Sequence, residues 1–279
     1  MGMGMCSSRR LVHTPGLKPA TGKYATRATD TDFDNKANIT ILQFFYADRP
    51  ENAVGLNPTS VTTFSLWDGA DGMHAFWSGN SNGKSMYPVG KGSTDYSLTT
   101  SNVGGAGSNN WAGNASTLLR DGVCSVWAYT HDASLSEDDT KVYYYSLQDG
   151  KTLNAIDNSE ANLGALGTST AIRLGNLSTN GSNVSQQMTA GAKIGKTAIW
   201  FSTLTTANIE DLVNYTGTGS MIFDVTGRYG AAGYSGLGIT QPNHEWVPML
   251  DGTISDTGSD GGKDLTIEGS AKIATFGAY

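Results

Sequence analysis

The stretch that decides the fold covers residues 198–212 and has the sequence AIWFSTLTTANIEDL. Its first residues are aromatic and β-branched, which predicts a short strand. Its second half predicts an amphipathic helix, because Ile209 and Leu212 recur on one face. Thr205 stands where an N-cap hydroxyl is expected, and Leu204 before it can pack against Ile209 as a hydrophobic staple. The pattern therefore indicates a strand that turns directly into one capped helix.

The rest of the chain favours strands joined by tight turns. Among 279 residues there are 36 Gly and 7 Pro, and only 15% are charged. Such a composition suits a β protein with many turns. Residues 39–46 are apolar on both faces and predict a central strand, whereas residues 61–67 alternate like a half-buried strand. An Asp-Gly-containing turn then predicts a hairpin that returns through residues 73–77.

Three further landmarks precede the strand-helix stretch. An Asp-Gly turn leads into a strand that ends near residue 132, a second strand meets an Asp-Gly turn at residues 149–150, and a short apolar segment with Gly covers residues 171–176. In this order, over residues 38–215, the segments resemble LamG-like domains of the concanavalin A-like lectin and glucanase group. The matching residues are Asp121, Gly122, Ala128, Thr130, Asp132, Leu204, Thr205, Ile209 and Leu212.

The resemblance also has departures. Asn208 replaces the family's Glu, which weakens the reciprocal half of a capping box. Cys124 and Ser125 replace a Trp-His pair. The resemblance implies an all-β, two-sheet antiparallel jelly-roll sandwich with one short helix. Residues 244–269 resemble another segment of such domains, and we expect them to form a final strand that returns to the sheet, the alternative being a second partial unit.

The organisation predicted is an extended N-terminal arm, residues 1–36, followed by the sandwich, residues 37–279. The arm contains the turn-rich, helix-hostile segment His-Thr-Pro-Gly-Leu-Lys-Pro at residues 13–19. Two interpretations stay open: a disordered tail, or an arm that packs on a neighbouring subunit. In the second, Leu11, Val12 and Leu17 are the assembly residues, and the protein forms a homo-oligomer.

Composition and motifs exclude several kinds of chemistry. The net charge of −7 speaks against a nucleic-acid surface, which needs a basic stripe. No apolar run is long enough for a membrane span, and the first ten residues lack the apolar stretch of a signal peptide. The Glu-x-Asp-x-x-Glu pattern of the glycosidases among the sandwich's relatives is absent, as is a Gly-x-Ser-x-Gly elbow. We therefore expect no enzymatic activity.

Two kinds of binding site are predicted. A calcium ion is a possible cofactor at the sandwich rim, since the resemblance implies Asp and carbonyl ligands there; the alternative is that these Asp residues only form turns. The calcium candidates are Asp68, Asp71 and Asp132. Carbohydrate binding needs aromatic rings to stack on sugar faces and amides to bind hydroxyls. The carbohydrate candidates are Trp67, Trp77, Tyr96, Asn110 and Trp111.

Three functions compete at this point. The first is a structural virion protein of a tailed bacteriophage, a capsid decoration or tail component with other virion proteins as partners. It rests on the expected arm, the missing signal peptide, the low charge and the resemblance to LamG-like domains in phage structural proteins. The second is an extracellular carbohydrate-binding or adhesion module that recognises surface glycans. A glycan-active enzyme is third, and the fold alone does not separate the three.

Overall fold

The computed structural model describes residues 12–19, 22–28, 31–47, 61–66, 72–80, 83–91, 123–135, 140–146, 151–152, 156–157, 165, 171–175, 178–179, 182–183, 193–213 and 231–278. The first strands are β1 (Val12–Lys18), β2 (Tyr24–Ala28), β3 (Asn38–Ala47), β4 (Val61–Ser65), β5 (Gly72–Asn80), β6 (Gly83–Lys91), β7 (Val123–Asp132), β8 (Thr140–Ser146) and β9 (Lys151–Thr152). They are followed by β10 (Ile156–Asp157), β11 (Ala171–Leu174), β12 (Ser178–Thr179), β13 (Ser182–Asn183), β14 (Lys193–Trp200), β15 (His244–Pro248), β16 (Ile254–Asp256), β17 (Thr266–Glu268) and β18 (Lys272–Ala278). The helices are α1 (Thr206–Val213) and α2 (Ala231–Gly236), and a 3₁₀ turn spans Thr31–Phe33.

These strands form two main antiparallel sheets, as the sequence predicts. Within the described residues, the first sheet has the order β10-β8-β7-β3-β14-β1-β18, with β15 and β16 beside β14 and with β9 on β8. The second has the order β17-β2-β11-β4-β5-β6, and β12 pairs with β13 separately. The architecture is an all-β jelly-roll sandwich, and the predicted hairpin of β4 and β5 is present.

Strand β3 is the centre of the first sheet, as its apolar sequence predicts. It pairs with β7 along its whole length and with β14 on the other side. Ile41 and Leu42 are both fully buried although they point to opposite faces. On the inner face the aromatic rings of Trp127 and Phe64 lie 6.4 Å apart and join the two sheets. The outer face carries a second apolar cluster, which packs under the helices.

Helix α1 begins as predicted, with Thr205 as its N-cap. The Asn208 backbone N–H donates to Thr205 Oγ1 at 3.2 Å. The Thr205 backbone N–H in turn donates to Asn208 Oδ1 at 3.1 Å. Asn208 therefore supplies the reciprocal bond that was expected to be weakened by the absence of Glu. Leu204, Ile209 and Leu212 are buried in this apolar cluster on the outer face of the first sheet, as the staple and the amphipathic face predict.

The second helix corrects the expectation of a single helix. Its sequence, AAGYSG, consists mostly of small residues and therefore shows no amphipathic pattern. Tyr234 nevertheless is fully buried, and its ring lies edge-on to that of Trp200 with the centroids 5.9 Å apart. This one aromatic side chain fixes α2 on the outer face of the first sheet.

The separate arm is also corrected. Strand β1 pairs with β18 along all seven residues and touches β14 at Leu17. Strand β2 lies between β17 and β11 in the other sheet. Leu17 and Ala25 are fully buried, so β1 and β2 contribute to both sheets and to the core. Residues 1–11, with Leu11, lie outside the described part.

The end of the chain returns to the sandwich as expected, but residues 244–269 form three strands in the two sheets and not a single final strand. Strand β15 pairs with β14, β16 with β15, β17 with β2, and β18 with β1. Strands from both ends of the sequence therefore lie side by side in each sheet. None of the described helices has the length and apolar character needed to cross a membrane.

Candidate functional site

A group of buried polar side chains lies on the outer face of the first sheet, beneath α2. Glu245 of β15 forms an ion pair with Lys196 of β14, and the two side chains are 3% and 2% exposed. Tyr234 Oη donates to Glu245 Oε1 at 2.5 Å, and Thr257 Oγ1 donates to Glu245 Oε2 at 2.8 Å. Each carboxylate oxygen of Glu245 thus accepts a hydrogen bond from a hydroxyl group. We call Lys196, Tyr234, Glu245 and Thr257 the outer cluster.

Strand register explains how the outer cluster forms. Ala198 is the direct partner of Glu245, so Lys196 is its diagonal neighbour on the same face. The register of β14 against β3 also shifts between Ile194 and Thr197. Such an irregularity bends a strand and re-aims its side chains, and here it lies at Lys196.

The Tyr234 hydroxyl keeps its proton in this environment. Burial raises the pKa of Tyr234 well above its usual value of 10.0, and the charge of Glu245 and the hydrogen bond to it raise the pKa further. The Lys196 Nζ also lies 5.8 Å from the centre of the Tyr234 ring, within range of a cation–π interaction. Tyr234 is therefore a hydrogen-bond donor to Glu245 across the neutral pH range.

The other face of β15 carries a buried histidine-aspartate pair. His244 Nδ1 and Asp256 Oδ2 are 2.7 Å apart, and both side chains are fully buried. The His244 ring stacks parallel to that of Trp246, with the centroids 5.9 Å apart, and its centroid lies 4.9 Å from that of Phe33. Among the described residues, His244 Nε2 has no hydrogen-bond partner. We call His244 and Asp256 the inner pair.

Asp256 organises the backbone around the inner pair. Its Oδ1 accepts from the backbone N–H of Glu245 at 2.9 Å and of Gly258 at 3.1 Å. Burial alone would raise the pKa of Asp256, but the bonds from His244, Glu245 and Gly258 outweigh it and lower the pKa below its usual 3.8. Gly258 is required, since a Cβ there would lie 2.2 Å from the Asn243 carbonyl oxygen. The ionised Asp256 therefore holds β15 against the following loop.

Solvent does not reach the inner pair or three members of the outer cluster, whereas the fourth, Thr257, is exposed. Lys196, Glu245, Tyr234 and His244 are at most 2% exposed, and Asp256 is 9% exposed. A histidine-aspartate pair can act as a general base where a substrate reaches the free nitrogen. Here aromatic rings enclose His244, which is the arrangement of a structural pair. Within the described ranges, no three His, Cys, Asp or Glu side chains are grouped so that they could hold a metal ion.

The carbohydrate candidates fall mostly outside the described residues. Trp67, Tyr96, Asn110 and Trp111 lie there, and Trp77 belongs to β5. The strand register nevertheless fixes where their segments meet the sheet. Gly72 follows the segment 67–71, and Lys91 precedes the segment 92–122. Gly72 and Lys91 are direct partners in the pairing of β5 with β6. The two segments that carry four of the five candidates therefore start from adjacent positions at one end of the second sheet.

The calcium candidates are not brought together in the described part. Asp68 and Asp71 lie outside it, and Asp132 ends β7. Asp132 Oδ1 accepts from the backbone N–H of Ser134 at 3.0 Å and from its hydroxyl at 2.6 Å. This is a turn-forming role, the alternative weighed from the sequence. Of the assembly candidates, Val12 begins β1 and Leu17 is buried within it.

The sequence did not single out the outer cluster or the inner pair. Lys196 and Glu245 are 49 positions apart, and each looks like an ordinary surface charge. The available signal was that both stand within apolar strands, Lys196 before Thr197-Ala198-Ile199-Trp200 and Glu245 between His244 and Trp246. A charge inside a strand that is buried on both faces requires a partner.

Comparison with known proteins gives similarity at the level of structure. No protein-family model and no curated protein matches the chain. A native heptameric SAP-like pentraxin from Limulus polyphemus is 10% identical, with 91% of this chain and 94% of that chain covered and a TM-score of 0.46. A Bacteroides ovatus protein, described as a candidate carbohydrate binding protein, is 11% identical, with 96% and 62% covered and a TM-score of 0.47.

The receptor binding domain of botulinum neurotoxin type G is also similar. It is 12% identical, with 63% of this chain and 38% of that chain covered and a TM-score of 0.39. The chain thus spans less than two thirds of the length of this protein and of the Bacteroides ovatus protein.

Proposed function

We propose that this protein is a non-enzymatic, lectin-like binding module that recognises glycans through the segments 67–71 and 92–122, which adjoin one end of its second sheet. The observation that carries the proposal is the pairing of Gly72 with Lys91. It joins the ends of two segments, 67–71 and 92–122, that are rich in candidate ligand residues. Binding residues concentrate on loops that a rigid scaffold positions, and the sandwich is such a scaffold.

The residues in these two segments suit a sugar ligand. Trp67, Tyr96 and Trp111 supply flat apolar rings, and Asn110 supplies an amide that both donates and accepts hydrogen bonds. A sugar ring offers a flat face of C–H groups and a rim of hydroxyls, which match rings and amides respectively. Residues 92–122 also contain many Gly, Ser, Thr and Asn, which suit a binding surface that adapts to polar groups.

The buried chemistry supports binding without catalysis. Both carboxylate oxygens of Glu245 are occupied by hydroxyl donors, and His244 is enclosed by aromatic rings. Glycoside hydrolysis needs two carboxyl groups that reach one sugar bond from opposite sides. Neither the outer cluster nor the inner pair offers an accessible pair of that kind.

A structural role in a bacteriophage virion is the other function that the sequence favoured. It relied on an arm that reaches a neighbouring subunit, and from residue 12 onwards that segment is folded into its own sandwich. We therefore place glycan recognition first. Calcium at Asp68 and Asp71 is compatible with either function and stays a prediction.

A glycan microarray probed with the labelled full-length chain, with and without EDTA, tests the proposal. We expect selective binding to a group of related glycans. Trp111→Ala should lower affinity for the best ligand at least about tenfold, the effect of losing roughly 1.4 kcal/mol of stacking. Leu250→Ser, at an exposed hairpin tip at the end of β15, is the matched control and should bind normally. Binding to no glycan, or equal affinity of Trp111→Ala and wild type, would contradict the proposal.

A further inference from the structure

The outer cluster places an amine against a carboxyl group on two neighbouring strands. Lys196 Nζ contacts Glu245 Oε1, and the two residues are diagonal neighbours on one face of β14 and β15. Because Oε1 is bonded to the carboxyl carbon Cδ, the amine lies next to the atom that it would attack. Reactants held at this separation have effective concentrations far above any that solution allows.

Burial makes the charged form of this pair costly. Both side chains are at most 3% exposed, so neither charge is hydrated. Desolvation of a lysine and a carboxylate can exceed their mutual attraction. The reaction proposed below requires the ammonium to pass one proton to the carboxylate, because the nucleophile is the neutral amine.

We propose that Lys196 and Glu245 become joined by an intramolecular isopeptide bond. The Lys196 amine nitrogen attacks Glu245 Cδ, one C–O bond of the carboxyl group breaks, and an amide forms with release of one water molecule. The ammonium gives up two protons, and the carboxylate gives up one oxygen, so that atoms and charge balance. The reaction needs no oxidant, metal or other reactant.

Tyr234 and Thr257 are placed to assist the reaction. Their hydroxyl groups donate to Oε1 and Oε2 of Glu245 at 2.5 and 2.8 Å. As nitrogen adds to Cδ, negative charge develops on these oxygens, and fixed donors stabilise it most effectively where water is excluded. Because the pKa of Tyr234 is raised, its hydroxyl retains the proton that this role requires. Both protons of the released water come from the Lys196 ammonium, and the Tyr234 hydroxyl keeps its own proton throughout.

The bond would tie the last four strands of the chain, β15 to β18, to the centre of the fold. Lys196 belongs to β14, which is paired with β3, whereas Glu245 belongs to β15, the first of the four strands β15 to β18. An amide across this junction closes a loop of 50 residues, counting both ends from 196 to 245. A cross-link of that kind lowers the conformational entropy of the unfolded chain.

Mass spectrometry of the full-length wild-type chain under denaturing conditions tests the proposal. The cross-linked protein should be about 18 Da lighter than its sequence mass, the loss of one water. Trypsin does not cleave after an acylated lysine, so digestion should give one branched product that joins residues 194–228 to residues 229–263. Recovery of the separate peptides 197–228 and 229–263 at unmodified mass would overturn the proposal.

Three variants assign the residues. Lys196→Arg keeps the positive charge and should show its full sequence mass, with no branched peptide. Lys193→Arg, in the same strand, is the matched control and should remain linked. Tyr234→Phe should lower the linked fraction severalfold, because it removes one donor to the reacting carboxyl group. If Lys196→Arg shows the same linked fraction as wild type, the assignment of Lys196 is overturned. If Tyr234→Phe shows the same linked fraction as wild type, the role of Tyr234 is overturned.

Discussion

Truncation of Leu212 to Ala tests the packing of the strand-helix unit that organises the fold. Leu212 is 1% exposed and packs with Leu204, Ile209 and Trp200 in the apolar cluster on the outer face of the first sheet. The change removes three buried carbon groups at about 0.8 kcal/mol each. It also leaves a cavity, because β14 and α1 hold the surrounding side chains in place. The free energy of unfolding should therefore fall by about 2–5 kcal/mol.

Urea denaturation of the full-length chain, followed by circular dichroism, measures this change. The midpoint should shift to lower urea concentration with an unchanged slope, since the surface exposed on unfolding stays nearly the same. Glu210→Ala, an exposed position of the same helix, is the control and should change the stability by less than about 0.5 kcal/mol. If Leu212→Ala lowers the free energy of unfolding by less than about 0.5 kcal/mol, the helix is not anchored through this face and the reasoning is refuted.

Three more outcomes follow from the structure. Deletion of residues 1–28 removes β1 and β2 and should abolish cooperative thermal unfolding; a cooperative transition would instead support a separate arm. Thr205→Ala should cost about 1 kcal/mol in urea denaturation by removing the cap, and an unchanged midpoint would contradict that role. The lowered pKa of Asp256 should add stability above pH 3.8 that is lost as the pH falls through the folded-state value. Asp256→Asn should therefore show a shallower loss of stability in acid than wild type, and equal slopes would argue against this linkage.

Local sequence determined several elements well. The apolar run of β3 marked a strand buried on both faces, and it lies between β7 and β14. The Thr205 cap and the face of Ile209 and Leu212 placed α1 because capping and amphipathic spacing are properties of adjacent residues. These signals require no knowledge of distant parts of the chain.

Elements whose stability depends on distant partners were not predictable in the same way. Pro15 and Gly16 made residues 12–18 look like turns, yet β1 is completed by β18, more than 250 residues later. Pro15 is tolerated since β1 meets β14 only at Leu17 and so has no continuous ladder on that side. The outer cluster similarly depends on the register between β14 and β15, which no local pattern specifies.

The carbohydrate-binding candidates could be predicted in part from the sequence. Residue types alone suggested that Trp67, Tyr96, Asn110 and Trp111 could meet a sugar, and the register of β5 with β6 adds that their segments leave adjacent strand ends. Which glycan they select depends on the arrangement of loop side chains, and composition does not encode that arrangement in a form that pattern analysis extracts.

Hydrogen–deuterium exchange of the full-length chain, with and without the best glycan from the array, tests glycan recognition by the segments 67–71 and 92–122 most directly. We predict slower exchange in peptides that cover residues 67–71 and 92–122 when the glycan is bound. Peptides over α1, which packs on the opposite sheet, should exchange at the same rate in both samples. Protection confined to other segments, such as residues 244–264, with no change in residues 67–71 and 92–122, would contradict the account.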